Sequence, residues 1–255
     1  MPPVTDDAVC LREWEWSETS QTASLFTRRH GLIRVIAKGS RRPKAPFSGG
    51  LELLTMGRAT FYPKAEAGLL VLGAWDLVDP CPHLRRSLDA SRSAVFIAEI
   101  VQMIMTDADP HPRLFDAVDS AIAALAEPVN HMATLLRFQM LALDEAGYRP
   151  TLDRDVLRQG EPLPETEVVR FSPSAGGLTA DDGASGALTW RIRLETVELL
   201  RLAQDDAPLT DAPLDTLDRA NRLLVAYLTH LMSRRPQSAR ALFPDTPGHD
   251  GPALG

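Results

Sequence analysis

The period of the apolar residues changes once along this 255-residue chain, from two before residue 80 to 3.6 after it. Five segments in the first part alternate or run apolar over strand lengths: residues 8–16, 21–28, 31–39, 51–62 and 68–79. Turn residues separate them, and this pattern predicts a small closed β-barrel. The oligonucleotide-binding (OB) fold has five such strands, and an SH3-like barrel would give nearly the same pattern.

Beyond residue 81 the apolar residues recur at helical spacing, which makes the chain an α+β protein with a C-terminal helical domain over residues 81–243. Helices are indicated at 95–105, 114–125 and 132–143, and we expect these three to pack as a bundle. Residues rich in Gly, Pro, Asp and Thr form an insertion at about 150–190, where "EVVRFSP" is the one strand candidate. The Pro- and Gly-rich tail, 244–255, is expected to be disordered.

The motifs of common enzyme classes are missing from the sequence. It has no GxSxG, P-loop, GxGxxG or HExxH pattern, and its six histidines are scattered, so we expect no catalytic residue and no cofactor. Cys10 and Cys81 belong to no CxxC pair and are expected to be buried, reduced thiols. Without a long apolar run or a signal-like N-terminus, a cytoplasmic protein with no membrane role is expected.

A basic segment, "RRHGLIRVIAKGSRRPK", is the strongest functional signal in a chain of formal net charge -7. No acid lies between Glu18 and Glu52, where seven cations fall: Arg28, Arg29, Arg34, Lys38, Arg41, Arg42 and Lys44. Such a patch attracts polyanions through their phosphate charge, although a solvated basic loop is the alternative from the residues alone. Phe47, and Phe61 or Tyr62, are candidates for base stacking, with core packing favoured for Phe61.

Several longer motifs surround this segment in a specific order. "ETSQTASLFTRRHGLIRVIAKGSRRPKAPFSGGLELLT" is followed by "LFDAVDSAIAALAE", "LLRFQMLALDEAGYRPTLDR", "FSPSAGGL" and "LLVAYLTHLMSRRPQSARALF". Their order and spacing closely resemble the bacterial recombination mediator family RecO, over about residues 8–243. Any one of these motifs alone would be a weak signal, whereas the combination is specific.

The resemblance implies a non-enzymatic DNA-binding mediator with an OB fold at residues 1–80 and an interrupted helical domain. Such a protein would anneal single strands and help RecA loading in DNA repair together with RecR. The implied partners are single- and double-stranded DNA, RecR and single-strand-binding protein, with a functional link to RecA and a nucleoid-associated, cytoplasmic location. The alternative is a protein-interaction module of the repair machinery with weak DNA affinity. By match to the family motif, the expected DNA-binding residues are Lys38, Arg41, Arg42 and Lys44, with Arg34 a weaker match.

The insertion departs from the family pattern. Many relatives carry a small zinc finger there, but this chain has Asp155 and Arg158 at the first pair of cysteine positions and Ala180 and Gly183 at the second. A structural zinc site needs four nitrogen or sulfur ligands, so we expect a degenerate, zinc-free subdomain. Without the metal, we also expect a mobile loop near residues 180–186.

Overall fold

The first five strands close into a barrel. They are β1 (Val4–Glu15), β2 (Gln21–Thr27), β3 (Gly31–Ala37), β4 (Met56–Glu66) and β5 (Leu69–Asp79). Their order around the barrel is β1-β2-β3-β5-β4, with β4 pairing back onto β1. Neighbours are antiparallel except β3 and β5, which are parallel. This topology is that of the OB fold, so the prediction of an N-terminal five-stranded OB barrel followed by helices is confirmed.

The computed structural model describes residues 2–42, 44–47, 51–66, 68–128, 131–164, 166–181 and 188–244. They belong to two units, Met1–Ala126 and Glu127–Gly255. Among the described residues, no helix combines the length and the apolarity that crossing a membrane would need.

Alternation along the strands sends one set of side chains into the barrel. The interior contains small and large apolar residues from every strand and from the β3–β4 loop: Ala8, Cys10, Ala23, Leu25, Ile33, Val35, Ala37, Phe47, Leu51, Ala59, Phe61, Leu72 and Trp75. Both cysteines are buried and free, as predicted. Burial raises the pKa of the Cys10 thiol to about 12 and that of Cys81 to about 11, so both thiols are protonated and unreactive at neutral pH.

Three helices complete the first unit: α1 (Pro82–Arg86), α2 (Leu88–Ile104) and α3 (Pro112–Ala124). Helix α2 begins after Ser87, whose side chain accepts a hydrogen bond from the Ala90 backbone N–H. Helix α3 packs on the outside of β2, where the rings of Phe115 and Phe26 lie 5.9 Å apart. The helices therefore cover one end of the outer barrel face.

The second unit contains the remaining elements. They are α4 (His131–Glu145), β6 (Val168–Ser172), β7 (Gly177–Thr179), β8 (Trp190–Arg193), α5 (Leu194–Gln204), α6 (Leu214–Met232) and α7 (Ala239–Leu242). Helix α4 packs on α5 and α6. The expectation that it would form a bundle with α2 and α3 is therefore wrong for α4. A polar pair lies between α4 and α6, where the Gln139 side-chain amide donates to the Asn221 side-chain oxygen at 2.7 Å.

The insertion contains a three-stranded antiparallel sheet in the order β7-β6-β8. Strand β6 corresponds to the predicted "EVVRFSP" segment, and β7 and β8 are additional. Residues 182–186, most of the predicted mobile loop, and 245–255, most of the predicted disordered tail, lie outside the described residues.

Candidate nucleic-acid interface

The seven basic residues do not form one patch. Arg28 and Arg29 lie in the turn between β2 and β3, whereas residues 38–44 follow β3 at its other end. Strand β3 has seven residues, so its ends are separated by ~20 Å. Six of the seven cations therefore fall into two groups with different surroundings, and Arg34 lies between the groups on β3.

The first group is held by carboxylates of the first unit. Arg28 pairs with Asp116 at 2.9 Å. The backbone N–H and the side-chain Nε of Arg29 both donate to the buried carboxylate of Asp6, and His30 Nδ1 lies 2.7 Å from its second oxygen. Burial by itself would raise the pKa of Asp6, but the hydrogen bonds from His30 and Arg29 outweigh burial and lower that pKa. These contacts indicate a structural role for Arg29.

The second group lies on a tight loop after β3. Gly39 has φ 71° and allows the chain to turn, and the N–H of Arg42 donates to the Gly39 carbonyl at 3.0 Å. Ser40 is buried and its hydroxyl donates to the Gln21 side chain at 3.0 Å. The loop is therefore anchored, while its four cations, Lys38, Arg41, Arg42 and Lys44, are all exposed.

Two of the predicted DNA-binding arginines have carboxylate partners. Arg34 lies 3.5 Å from Asp107, with both side chains more than half exposed, and Arg41 lies 2.7 Å from Glu15. Exposed pairs of this kind contribute ~0–1 kcal/mol and are screened by salt. A phosphate group can therefore displace either carboxylate at little cost, and the structure leaves all five predicted residues accessible.

Two of the three aromatic candidates from the sequence cannot stack on bases, and the third, Tyr62, stays a candidate. Phe47 and Phe61 are buried in the barrel interior, which confirms core packing for Phe61 and gives Phe47 the same role. Tyr62 is exposed. Sequence reasoning missed Trp14 and Trp16, which are exposed at the end of β1. The alternation in "REWEW" predicts that both rings share one strand face, but it does not show whether that face is exposed.

The insertion has polar contacts at the positions where the family pattern has cysteines. Asp155 is buried, and its carboxylate accepts backbone N–H bonds from Leu157 at 2.9 Å, Arg158 at 3.1 Å and Ala180 at 2.9 Å. Burial alone would raise the pKa of Asp155, but these bonds and one from Thr179 lower it. The carboxylate thus links the two loops that a zinc ion would join.

These residues do not fit a zinc site. The Asp155 oxygens are occupied by N–H donors, Arg158 is a cation and Ala180 has no donor atom. Within the described ranges, no group of three or more His, Cys, Asp or Glu side chains is placed to hold a metal ion. Gly183, the fourth position, lies outside those ranges.

Comparison with known proteins identifies the family. The model described as "Recombination protein O N terminal" matches residues 1–81, and the model described as "Recombination protein O C terminal" matches residues 85–240. Similar proteins named DNA repair protein RecO include those of Laribacter hongkongensis, 31% identical over 92% of this chain and 91% of the relative, and Nitrosospira multiformis, 28% identical over 92% of both chains. That of Myxococcus xanthus is 28% identical over 91% of this chain and 94% of the relative. An OB barrel, a helical second unit and these matches together show that the chain belongs to the RecO family of DNA repair proteins.

Proposed function

We propose that this protein is a non-enzymatic recombination mediator that binds DNA and anneals complementary single strands. In this proposal it acts with RecR on DNA covered by single-strand-binding protein and helps RecA to load during repair. The observation that carries the proposal is the anchored loop after β3, which presents four cations, Lys38, Arg41, Arg42 and Lys44, at one end of an OB barrel.

The chemistry of the loop supports contact with a phosphate backbone. Backbone contacts position a protein on nucleic acid without reading its sequence, which suits an annealing protein that must accept any strand. Arg34 lies on the outer face of β3 and extends the cationic surface along the strand. Each phosphate that such a cation neutralises releases counterions, and this release favours binding.

The competing proposal is a protein-interaction module with weak DNA affinity. Its support is that Arg34 and Arg41 already have carboxylate partners and that the chain as a whole is acidic. In that case the barrel would bind other repair proteins, and its basic loop would contribute little to DNA affinity.

Charge reversal of the loop tests the first proposal. Changing Arg41, Arg42 and Lys44 to Glu should abolish annealing of complementary oligonucleotides and leave thermal unfolding nearly unchanged, because exposed charges contribute little to stability. The matched control changes Arg28, Arg92 and Arg113 to Glu, which alters the net charge equally at other exposed positions of the first unit. Annealing that survives in the loop variant would overturn the assignment of the DNA site.

A further inference from the structure

Along the outer face of the sheet formed by β1, β2 and β3, the residues change from buried and apolar to a set that includes exposed cations and an exposed aromatic ring. Strand pairing places Val9, Phe26 and Leu32 in one row across this face, and all three are buried. Phe115 of α3 covers Phe26 in that row. The helices thus close this end of the face.

The next two rows contain different residues. Arg12, Ser24 and Arg34 form one row, and Trp14, Thr22 and Ile36 form the next. Directly paired residues lie on the same side of a sheet, and neighbouring strands are ~4.8 Å apart. Trp14 therefore lies on the same face of the sheet as the exposed cations Arg12 and Arg34, in the row next to theirs.

Two tryptophans are exposed at this end of the barrel. Trp14 is 42% exposed and Trp16 is 63% exposed, although large aromatic residues are normally buried in a fold of this size. The guanidinium carbon of Arg12 lies 4.8 Å from the centroid of the Trp14 ring. This cation–π contact covers part of the ring, fixes its orientation and places a positive charge beside it.

The turn that carries Trp16 is fixed against the basic loop. The N–H of Trp16 donates to the Ser20 carbonyl at 3.0 Å, and the N–H of Gly39 donates to the Ser20 hydroxyl at 3.1 Å. The N–H of Arg41 donates to the Thr19 carbonyl at 3.2 Å. The β1–β2 turn and the cationic loop after β3 are therefore one hydrogen-bonded structure.

The acids of β1 are engaged away from the tryptophans. Glu13 and Glu15 alternate with Trp14 along the strand, so they belong to the other face. Glu13 accepts a bond from the Gln21 side chain at 2.6 Å, and Glu15 pairs with Arg41. The face of Trp14 therefore combines an aromatic ring with the cations Arg12 and Arg34, the second of which pairs with the exposed Asp107 at 3.5 Å. Aromatic and cationic groups together suit an anionic ligand that has aromatic groups.

We propose that Trp14 and Trp16 form a base-stacking surface for single-stranded nucleic acid. Bases stack on the two indole rings while Arg12, Arg34 and the cations after β3 contact the phosphates. The inference rests on the proposed function and extends it from backbone contact to contact with bases. Stacking on aromatic rings is independent of sequence, since every base has a π-face. A duplex cannot use this surface, because its bases are already stacked on one another.

An abasic strand separates stacking from phosphate binding. The full chain and its Trp14→Ala, Trp16→Ala and double variants are titrated with oligothymidine of about 12 nucleotides, within the site size of one OB fold, and with an abasic deoxyribose-phosphate strand of equal length. We expect each substitution to weaken oligothymidine binding roughly tenfold and to leave abasic-strand binding unchanged. Tyr148→Ala removes an aromatic residue of similar exposure in the second unit and is the matched control.

Fluorescence of the unmodified protein gives a second measurement that does not depend on a variant folding. Oligothymidine should quench the tryptophan emission and the abasic strand should not. In the double variant, whose remaining tryptophans are Trp75 and Trp190, this quenching should be lost. Trp14→Phe should keep most of the affinity, since it retains a ring at the position.

The outcomes distinguish this inference from the proposed function. If the double variant binds oligothymidine as tightly as the unmodified protein, while reversal of Arg41, Arg42 and Lys44 abolishes binding, then DNA binding stands and base stacking is wrong. Equal quenching by both strands would also contradict stacking. If the unmodified protein binds neither strand, the proposed function and this inference both fail.

Discussion

At the scale of single residues, neighbours of equal charge have different roles. Asp6 and Asp7 are adjacent on β1, yet the Asp6 side chain is 1% exposed and the Asp7 side chain 59% exposed. Asp6 binds Arg29 and His30 across the turn at the end of β2, whereas Asp7 has Arg58 at 3.9 Å. Alternation along a strand explains the difference, because it directs successive side chains to opposite faces.

Changing Asp6 to Asn should lower the free energy of unfolding at pH 7 by about 2 kcal/mol, because hydrogen bonds to a buried charged group are lost. Since the folded-state pKa of Asp6 lies below its ordinary value of 3.8, this stabilisation is present above that pH and is lost as the pH falls through the folded-state pKa. The gap in Tm between the protein and the variant should therefore narrow in acid. Thermal unfolding at neutral and acidic pH measures it.

Asp7→Asn is the matched control for this change. Its carboxylate is exposed and its partner distant, so the variant should unfold at nearly the same temperature as the unmodified protein at either pH. Equal destabilisation by both substitutions would show that Asp6 has no special role.

The sequence predicted the basic segment, but not the division of its residues. Charge and spacing identify Arg28 and Lys38 equally, and only strand pairing shows that they lie at opposite ends of a hairpin. Trp14 and Trp16 were missed for a related reason. Aromatic residues on a strand are usually core residues, and their exposure depends on where the covering helices stop, which strand periodicity does not encode.

At the scale of elements, long periodic segments were predicted well and short ones were not. The five barrel strands and the helices follow apolar repeats that cover many residues. Strand β7 has three residues and β8 has four, which is too short for a period to be visible. The contacts of α4 were also not predictable, because an amphipathic face shows that a helix is covered and not which helix covers it.

In the insertion, a buried carboxylate holds two loops together. Asp155 accepts backbone N–H bonds from Leu157, Arg158 and Ala180. A second carboxylate, Asp181, accepts from Arg170 at 2.6 Å and from Arg191 at 3.0 Å. The ion pairs of Asp181 therefore connect strands β6 and β8 of the small sheet.

Changing Asp155 to Ala should destabilise the second unit by about 3 kcal/mol, because three backbone donors lose a charged acceptor in a buried position. Since its folded-state pKa lies below 3.8, the contribution of Asp155 is present at neutral pH and is lost in acid. Hydrogen exchange at the Leu157 and Ala180 amides should accelerate in the variant. Thermal unfolding gives the magnitude.

Asp153→Ala provides the comparison, since this neighbour is 79% exposed and lies 4.0 Å from its partner Arg154. It should have almost no effect on unfolding or on amide exchange. If the Leu157 and Ala180 amides remain protected in the Asp155 variant, the carboxylate does not hold the two loops together.

At the scale of the whole molecule, charge is unevenly distributed. Residues 1–80 contain ten Lys or Arg and nine Asp or Glu, whereas residues 81–255 contain 17 and 25. The N-terminal part is nearly neutral in sum, so the DNA binding that we propose depends on where the cations are placed and not on net charge. The loop after β3 brings several cations together, since Lys38, Arg42 and Lys44 are all exposed there.

This dependence on position predicts how binding responds to salt. If Lys38, Arg41, Arg42 and Lys44 neutralise about four phosphates of a single strand, log K should fall with log salt at a slope near -3, from about -0.7 per phosphate. Changing Arg42 and Lys44 to Ala should reduce that slope by roughly 1.4, whereas Trp14→Ala should weaken binding at every salt concentration with the slope kept. Fluorescence anisotropy of a labelled oligothymidine strand, titrated at several salt concentrations, measures both quantities. A slope near zero for the unmodified protein would favour the interaction-module alternative, because binding without counterion release requires contacts other than those to the phosphate backbone.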